Sequence, residues 1–135
     1  MKSQPRLTIE YTKPGNLKPH PKNARAHNPE QIDRIAKSIQ AVGFTKPIIV
    51  DEKLEILAGH GALMAAQQLG LAEVPFIKRV KLTDAQKRAY RLANNAIAEK
   101  STWDPGLLTE ELQLLKGMGF DLALTGFDQT ELTFM

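Results

Sequence analysis

The sequence predicts an α+β fold, a small sheet packed with helices and followed by a helical extension. Three observations predict it. Short β-rich runs bounded by turn residues recur over the first 81 residues, helix-start signatures interrupt them, and from residue 82 onward only helix patterns follow. The expected division is a core over 1–81 and an extension over 82–135 that continues from it. A chain of 135 residues suits one domain and can bury a real core.

The elements follow in order. Leu7 to Tyr11, LTIEY, alternates apolar and polar residues and predicts a strand. Thr12 to Pro29 holds Pro14, Gly15, Pro19, Pro21 and Pro29, which exclude regular helix. Long loops inside small domains are often functional, and this one carries Lys18, His20, Lys22, Asn23, Arg25 and His27. Asn28 is a good helix cap, Pro29 suits the first turn and Gln31 can close a capping box. Ile32, Ile35, Ala36, Ile39 and Val42 keep helical spacing and predict a buried stripe that ends at Gly43. Ile48 to Asp51 and Glu55 to Ala58 predict two strands joined by a turn at Asp51 to Lys53. A helix then runs to Gly70, and Val74 to Val80 predicts another strand.

Thr83 with Gln86 three residues on predicts a second capped helix, with Ala85, Ala89, Leu92, Ala93 and Ala96 on one face. Asp104-Pro105 opens a third, whose Leu108, Leu112 and Leu115 should face inward before Gly117 and Gly119 end it. The tail from Phe120 to Met135 has apolar residues but no obvious cap, the pattern expected of a domain cut from a longer chain.

The composition excludes several functions. There is no cysteine, so a disulfide framework, a thiolate metal site and a cysteine nucleophile are ruled out, and a reducing cytoplasm fits. No apolar run has the length of a membrane span, and the start MKSQPRLTIEYTKPG lacks the apolar middle of a signal peptide. His20, His27 and His60 are too far apart for a metal motif, so no metal held by the protein alone is expected. Ser3, Ser38 and Ser101 lie in no nucleophile elbow. A net charge of +3 permits a nucleic-acid partner without requiring one.

The most pointed stretch is Leu57 to Gly70, LAGHGALMAAQQLG, in which Gly59-His60-Gly61 separates a strand from a helix. A helix N-terminus presents backbone N–H groups and a partial positive charge, where anions and phosphate bind. Glycine lets the backbone approach a phosphate closely, and His60 could donate to a phosphate oxygen. The spacing alone equally suits a tight turn with no ligand. A second stretch gathers Lys78, Arg79, Lys81, Lys87, Arg88 and Arg91 against one acid, Asp84. It reads either as a positive surface for a phosphate backbone or as the solvated face of a helix.

Three segments together resemble the ParB/sulfiredoxin superfamily: Pro19 to Arg25 (Pro-His-Pro-x-Asn-x-Arg), Gly43 to Ile48 (GFTKPI), and Gly59-His60-Gly61. More closely, the chain resembles the ParB-like "nuclease" domains of phage and prophage proteins, often fused to DNA-modification methyltransferases. The similarity runs from about Leu17 to Phe127, and Leu82 to Asp104 is similar to the methyltransferase-fused branch.

The resemblance implies a small mixed β-sheet packed with helices, and a nucleoside triphosphate bound at the helix mouth. ParB proteins use CTP to clamp DNA, while sulfiredoxin and its relatives use ATP. By resemblance Gly59, His60 and Gly61 would wrap the phosphates, Asn23 and Arg25 would face them, and Thr45 and Lys46 would lie over the nucleotide. Asn95 would help hold phosphate and Mg²⁺, and Lys78, Arg79, Lys81, Lys87, Arg88 and Arg91 would face DNA. A homodimer and a methyltransferase domain are the implied protein partners.

Departures from the pattern shape the expected function. The superfamily's motif arginine falls on Ala62. Losing such a charge-assisted phosphate contact costs about 1.5–3 kcal/mol. The sulfiredoxin cysteine is missing, which excludes sulfinic-acid repair, and Ala58 replaces the acid of relatives that phosphorylate small substrates. Three readings stand: an NTP-dependent switch or weak NTPase (a hydrolase) impaired by Ala62, a non-catalytic DNA-targeting module, or a metal-dependent DNA nuclease. The nuclease would need clustered carboxylates. Asp51, Glu52 and Glu55 are clustered, but in a turn expected to be a solvated hairpin tip.

Overall fold

The computed structural model of the chain describes residues 4–21, 28–100, 102–125, 127 and 129–133, with backbone alone at 95, 97–100, 129 and 130. Four short strands form one mixed sheet: β1 (Glu10–Thr12), β2 (Ile48–Val50), β3 (Ile56–Ala58) and β4 (Val74–Lys78). Their order is β1-β4-β2-β3, with β2 parallel to β4 and both outer pairings antiparallel. Ile48, Val50, Ile56 and Val74 are fully buried and pack with Leu17, Leu63, Ala66 and Phe76. The α+β class read from the sequence is the fold observed.

Two strands are displaced from their predicted spans. The LTIEY run pairs only from Glu10, because β1 is an edge strand matched to Val74–Phe76, and Leu7 and Ile9 remain exposed. β4 stops at Lys78 because the chain turns at Lys81, whose φ of +62° breaks extended backbone.

α1 (Pro29–Val42) starts as predicted, with the Asn28 side chain accepting from the Gln31 N–H at 2.8 Å. Its Ile32 and Ala36 pack on Ala65 of α2 (His60–Leu69), with Ile35, Ile39 and Leu69 at the margin. Val42, predicted in the stripe, is exposed, since the stripe runs off the end of its partner helix. Small residues on α2, namely Gly61, Ala65 and Ala66, are all buried between α1 and the sheet.

α3 (Asp84–Lys100) opens with the complete capping box: Thr83 N–H donates to Gln86 Oε1, and Gln86 N–H to Thr83 Oγ1. Its apolar face is turned away from the sheet. Ala85, Ala89, Leu92 and Ala93 face outward, and Lys87 and Arg91 face the sheet edge. α4 (Pro105–Gly117) is capped by Asp104 and buries Leu112, with Leu108 and Leu115 half-buried as expected. A 3₁₀ turn at Leu122–Thr125 then packs on α1. A short α5 (Gln129–Thr133) is tied to α1 by Arg34–Glu131 at 2.7 Å.

Candidate functional site

The mouth of α2 opens into a cavity of about 370 Å³. Its floor is Leu57, Ala58, Gly59, His60, Gly61 and Ala62; one wall is Lys46, Pro47 and Ile49, another Gln31 and Ile35, and the last Tyr90 and Asn94 of α3. This size lies within the range of about 300–1,000 Å³ usual for small-molecule sites.

Local sequence explains the floor. Gly59 precedes α2 with φ +107°, and a Cβ there would meet Ile48 at 3.2–3.3 Å. Only glycine enters this turn without strain and seats the helix start against β2. α2 differs from α1, α3 and α4 in having no side-chain cap, and no acid sits in its first turn. Its first intrahelical bond is Leu63 N–H to Gly59 O at 2.9 Å, so the helix N-terminus is aimed into the cavity by its backbone alone.

His60 has a role the sequence did not suggest. Its Nε2 accepts a hydrogen bond from the His20 backbone N–H at 3.0 Å. Nε2 therefore carries no proton, and the ring ties the Pro19–Pro21 segment to the helix mouth. Lys18, just before that segment, is stitched to the start of β3, its N–H donating to Leu54 O and its carbonyl accepting from Ile56 N–H, both at 2.8 Å.

Of the other residues expected at the nucleotide, Lys46 lines the cavity, while Thr45 beside it is exposed and outside the lining. Asn23, Arg25 and the Asn95 side chain lie outside the described residues. Tyr90 and Asn94 were missed. Their signal was available: with Lys87 and Arg91 they make a polar face at helical spacing, opposite the alanines.

The acidic turn is no solvated tip. Asp51 is only 3% exposed, and its Oδ1 accepts from the N–H groups of Lys53 (2.9 Å) and Glu55 (3.0 Å). Its Oδ2 meets Lys87 Nζ at 3.1 Å, Lys87 also reaches Glu52 at 2.9 Å, and Arg91 reaches Glu55 at 3.1 Å. Burial pushes the Asp51 carboxyl up, but the Glu55 N–H, the Lys87 ammonium and the Lys53 N–H together hold it below its ordinary value. Glu52 and then Asp51 raise Lys87 above its own.

The proposed DNA-facing set is therefore split. Lys87 and Arg91 are turned to the acidic turn, where Asp51, Glu52 and Glu55 pair with them. Lys78, Lys81 and Arg88 stay exposed, Arg88 pairing with Asp84 at 2.9 Å, and Arg79 is half-buried. Among the described residues no group of three or more His, Asp or Glu is arranged to hold a metal ion.

A sequence profile of the ParB N-terminal domain matches residues 2–96. The chain belongs to the ParB N-terminal domain family. A second profile, the ParB-methyltransferase HTH domain, matches residues 106–135, the α4–α5 region. The ParB-like nuclease domain-containing protein YnaK of Escherichia coli (strain K12) is 45% identical over 83 residues, which are 62% of this chain and 95% of that one. A Deinococcus radiodurans relative named "Probable chromosome 2-partitioning protein ParB" is 37% identical over 66% of this chain, which spans only 30% of that protein.

Among solved structures, the C-terminally truncated chromosome-partitioning protein ParB from Caulobacter crescentus, complexed with CTP-gamma-S, shares the fold. Its TM-score is 0.77 at 19% identity, over 93% of this chain and 74% of that one. The same protein complexed to the centromeric parS site has a TM-score of 0.52 at 20% identity, over 92% of this chain and 68% of that one. No helix among the described residues is long and apolar enough to cross a membrane.

Proposed function

We propose that this ParB-family domain is a nucleotide-responsive, DNA-associated module whose cavity at the α2 mouth takes a nucleoside triphosphate. One observation carries the reading: an uncapped helix N-terminus opens into a cavity of about 370 Å³ rimmed by a lysine, Lys46. Backbone N–H groups and a nearby ammonium suit a polyphosphate. The floor residues Gly59, His60 and Gly61 would hold the phosphates through their backbone, and Lys46 would neutralise charge from the rim. Asn94 and Tyr90 would meet the far side, and Mg²⁺ would enter with the nucleotide. The bound nucleotide would supply a switchable ligand whose hydrolysis could reset the domain.

Ala62 weakens this site, because a methyl group replaces a guanidinium at the cavity floor. The test is calorimetry with ATP, CTP and GTP plus Mg²⁺ on the native chain and on Ala62→Arg. Ala62→Arg is expected to bind at least about tenfold more tightly, the equivalent of one charge-assisted bond. No binding by either chain removes the nucleotide reading.

A DNA-targeting role without nucleotide is the second reading, favoured by the helix-turn-helix match over residues 106–135. A methyltransferase partner and a homodimer belong to this reading. Lys78, Lys81 and Arg88 are the exposed cations that would meet phosphates. Binding should then weaken steeply with salt in the absence of nucleotide. A nuclease reading is disfavoured, since Asp51, Glu52 and Glu55 already neutralise Lys87 and Arg91.

A further inference from the structure

Two segments far apart in sequence, the His20 loop bonded to the helix mouth and α3, flank the cavity, and one atom touches both. Glu55 Oε1 lies 2.8 Å from His20 Nδ1 and 3.1 Å from Arg91 Nη2. Arg91 stands between Tyr90 and Asn94, the α3 residues that line the cavity, and its Nε also donates to Ile56 O at 3.3 Å. His20 donates its backbone N–H to His60 Nε2 at the helix mouth. An ionised carboxylate only accepts, so His20 Nδ1 carries the proton in the contact with Glu55.

The continuous order is Arg91, Glu55, His20, His60, running from α3 across the edge of β3 to the first residue of α2. Every link is partly shielded: the side chains of Arg91 and His20 are 13% and 19% exposed. Shielded charge-assisted bonds are stronger than exposed ones, and groups in one network couple.

We propose that Glu55 is a positioning residue: its carboxylate couples α3 to the His20 segment and so holds the Tyr90–Asn94 wall in register with the helix mouth. The claim that this register serves a ligand rests on the nucleotide reading above; the coupling itself does not. Glu55 acts through its neighbours, since it is not among the residues lining the cavity.

The experiment is residue-resolved amide hydrogen exchange on the full chain, followed by nucleotide titration. Glu55→Ala is expected to speed exchange at His20 and across Tyr90 to Asn94 together, by about tenfold, leaving Ile49 and Ile77 in the sheet unchanged. Arg91→Leu should loosen the His20 amide although Arg91 does not hydrogen-bond to it, and His60→Phe should loosen α3. Arg88→Leu, which breaks an exposed pair on the same helix, should leave His20 unaffected. Glu55→Gln keeps an acceptor oxygen and should restore most of the protection. Loosening of the His20 segment or of α3 alone in Glu55→Ala, or no response of His20 to Arg91→Leu, overturns the coupling.

In the Ala62→Arg background, Glu55→Ala should raise the nucleotide Kd about tenfold and Glu55→Gln much less. An unchanged Kd overturns the positioning role. If the Ala62→Arg parent binds no nucleotide, the nucleotide reading fails by itself, and the exchange results still decide whether Glu55 couples α3 to the His20 segment.

Discussion

α1 and α3 begin alike and dock by opposite chemistry. Each is amphipathic and opens with a side-chain cap, Asn28 for α1 and the Thr83–Gln86 box for α3. α1 buries its apolar stripe, Ile32 and Ala36, on Ala65 of α2. α3 turns its alanines and Leu92 away and meets the sheet edge with Lys87 and Arg91. The difference lies in what each helix faces. α2 offers α1 small apolar residues, whereas the β2–β3 turn offers α3 three carboxylates, one of them buried. An amphipathic pattern shows that a helix has two faces; the opposing surface decides which one is used.

The strongest way to break the contrast is to remove its apolar side. Ile32→Ala should cost about 2–4 kcal/mol in urea denaturation, as a cavity left between two packed helices. A loss well under 1 kcal/mol would mean that the α1–α2 contact carries little of the fold.

Asp51→Ala removes the electrostatic side, leaving the Lys53 and Glu55 N–H groups without their acceptor and Lys87 without its buried partner. A cost of about 1–3 kcal/mol follows, with amide exchange accelerated in α3 more than in α1. Lys87→Met should loosen the same amides. Equal loosening of both helices in either variant would show that α3 docks by some other contact.

The pH dependence sharpens the comparison. Asp51 titrates below its ordinary value in the fold, so its contribution is complete above about pH 4 and disappears as pH falls further. Lys87 titrates above its ordinary value, so its contribution is complete below about pH 10 and disappears as pH rises through the shifted value. Protection of α3 should therefore be flat from about pH 5 to 9 and fall at both ends, with acid releasing α3 before α1. Release of α3 near neutral pH would contradict this assignment.

The smallest effect is expected on the outward face of α3. Leu92→Asp should change stability by no more than about 0.5 kcal/mol, because Leu92 is 60% exposed. A loss above about 2 kcal/mol would place that face inside, as its periodicity alone suggests.

Much of the fold was legible in single residues. Asn28, Thr83 with Gln86, and Asp104 mark three helix starts because capping is local chemistry within four residues. Gly59 and Gly70 bracket α2 for the same reason, each with positive φ. The floor of the candidate site, from Gly59 to Ala62, was legible with them, since it is contiguous in sequence. The walls were not. Tyr90 and Asn94 reach the cavity only because α3 is rolled onto its polar face.

By itself the sequence determined the element types, the caps, the α+β class and the glycine-flanked helix mouth, because each depends on backbone preferences of a few neighbouring residues. Only the tertiary structure decided which face α3 buries, that His60 accepts from His20, and that Glu55 reaches both His20 and Arg91. Those contacts join residues 35 to 40 positions apart. Their strength depends on burial and charge pairing that exist only once the chain has folded.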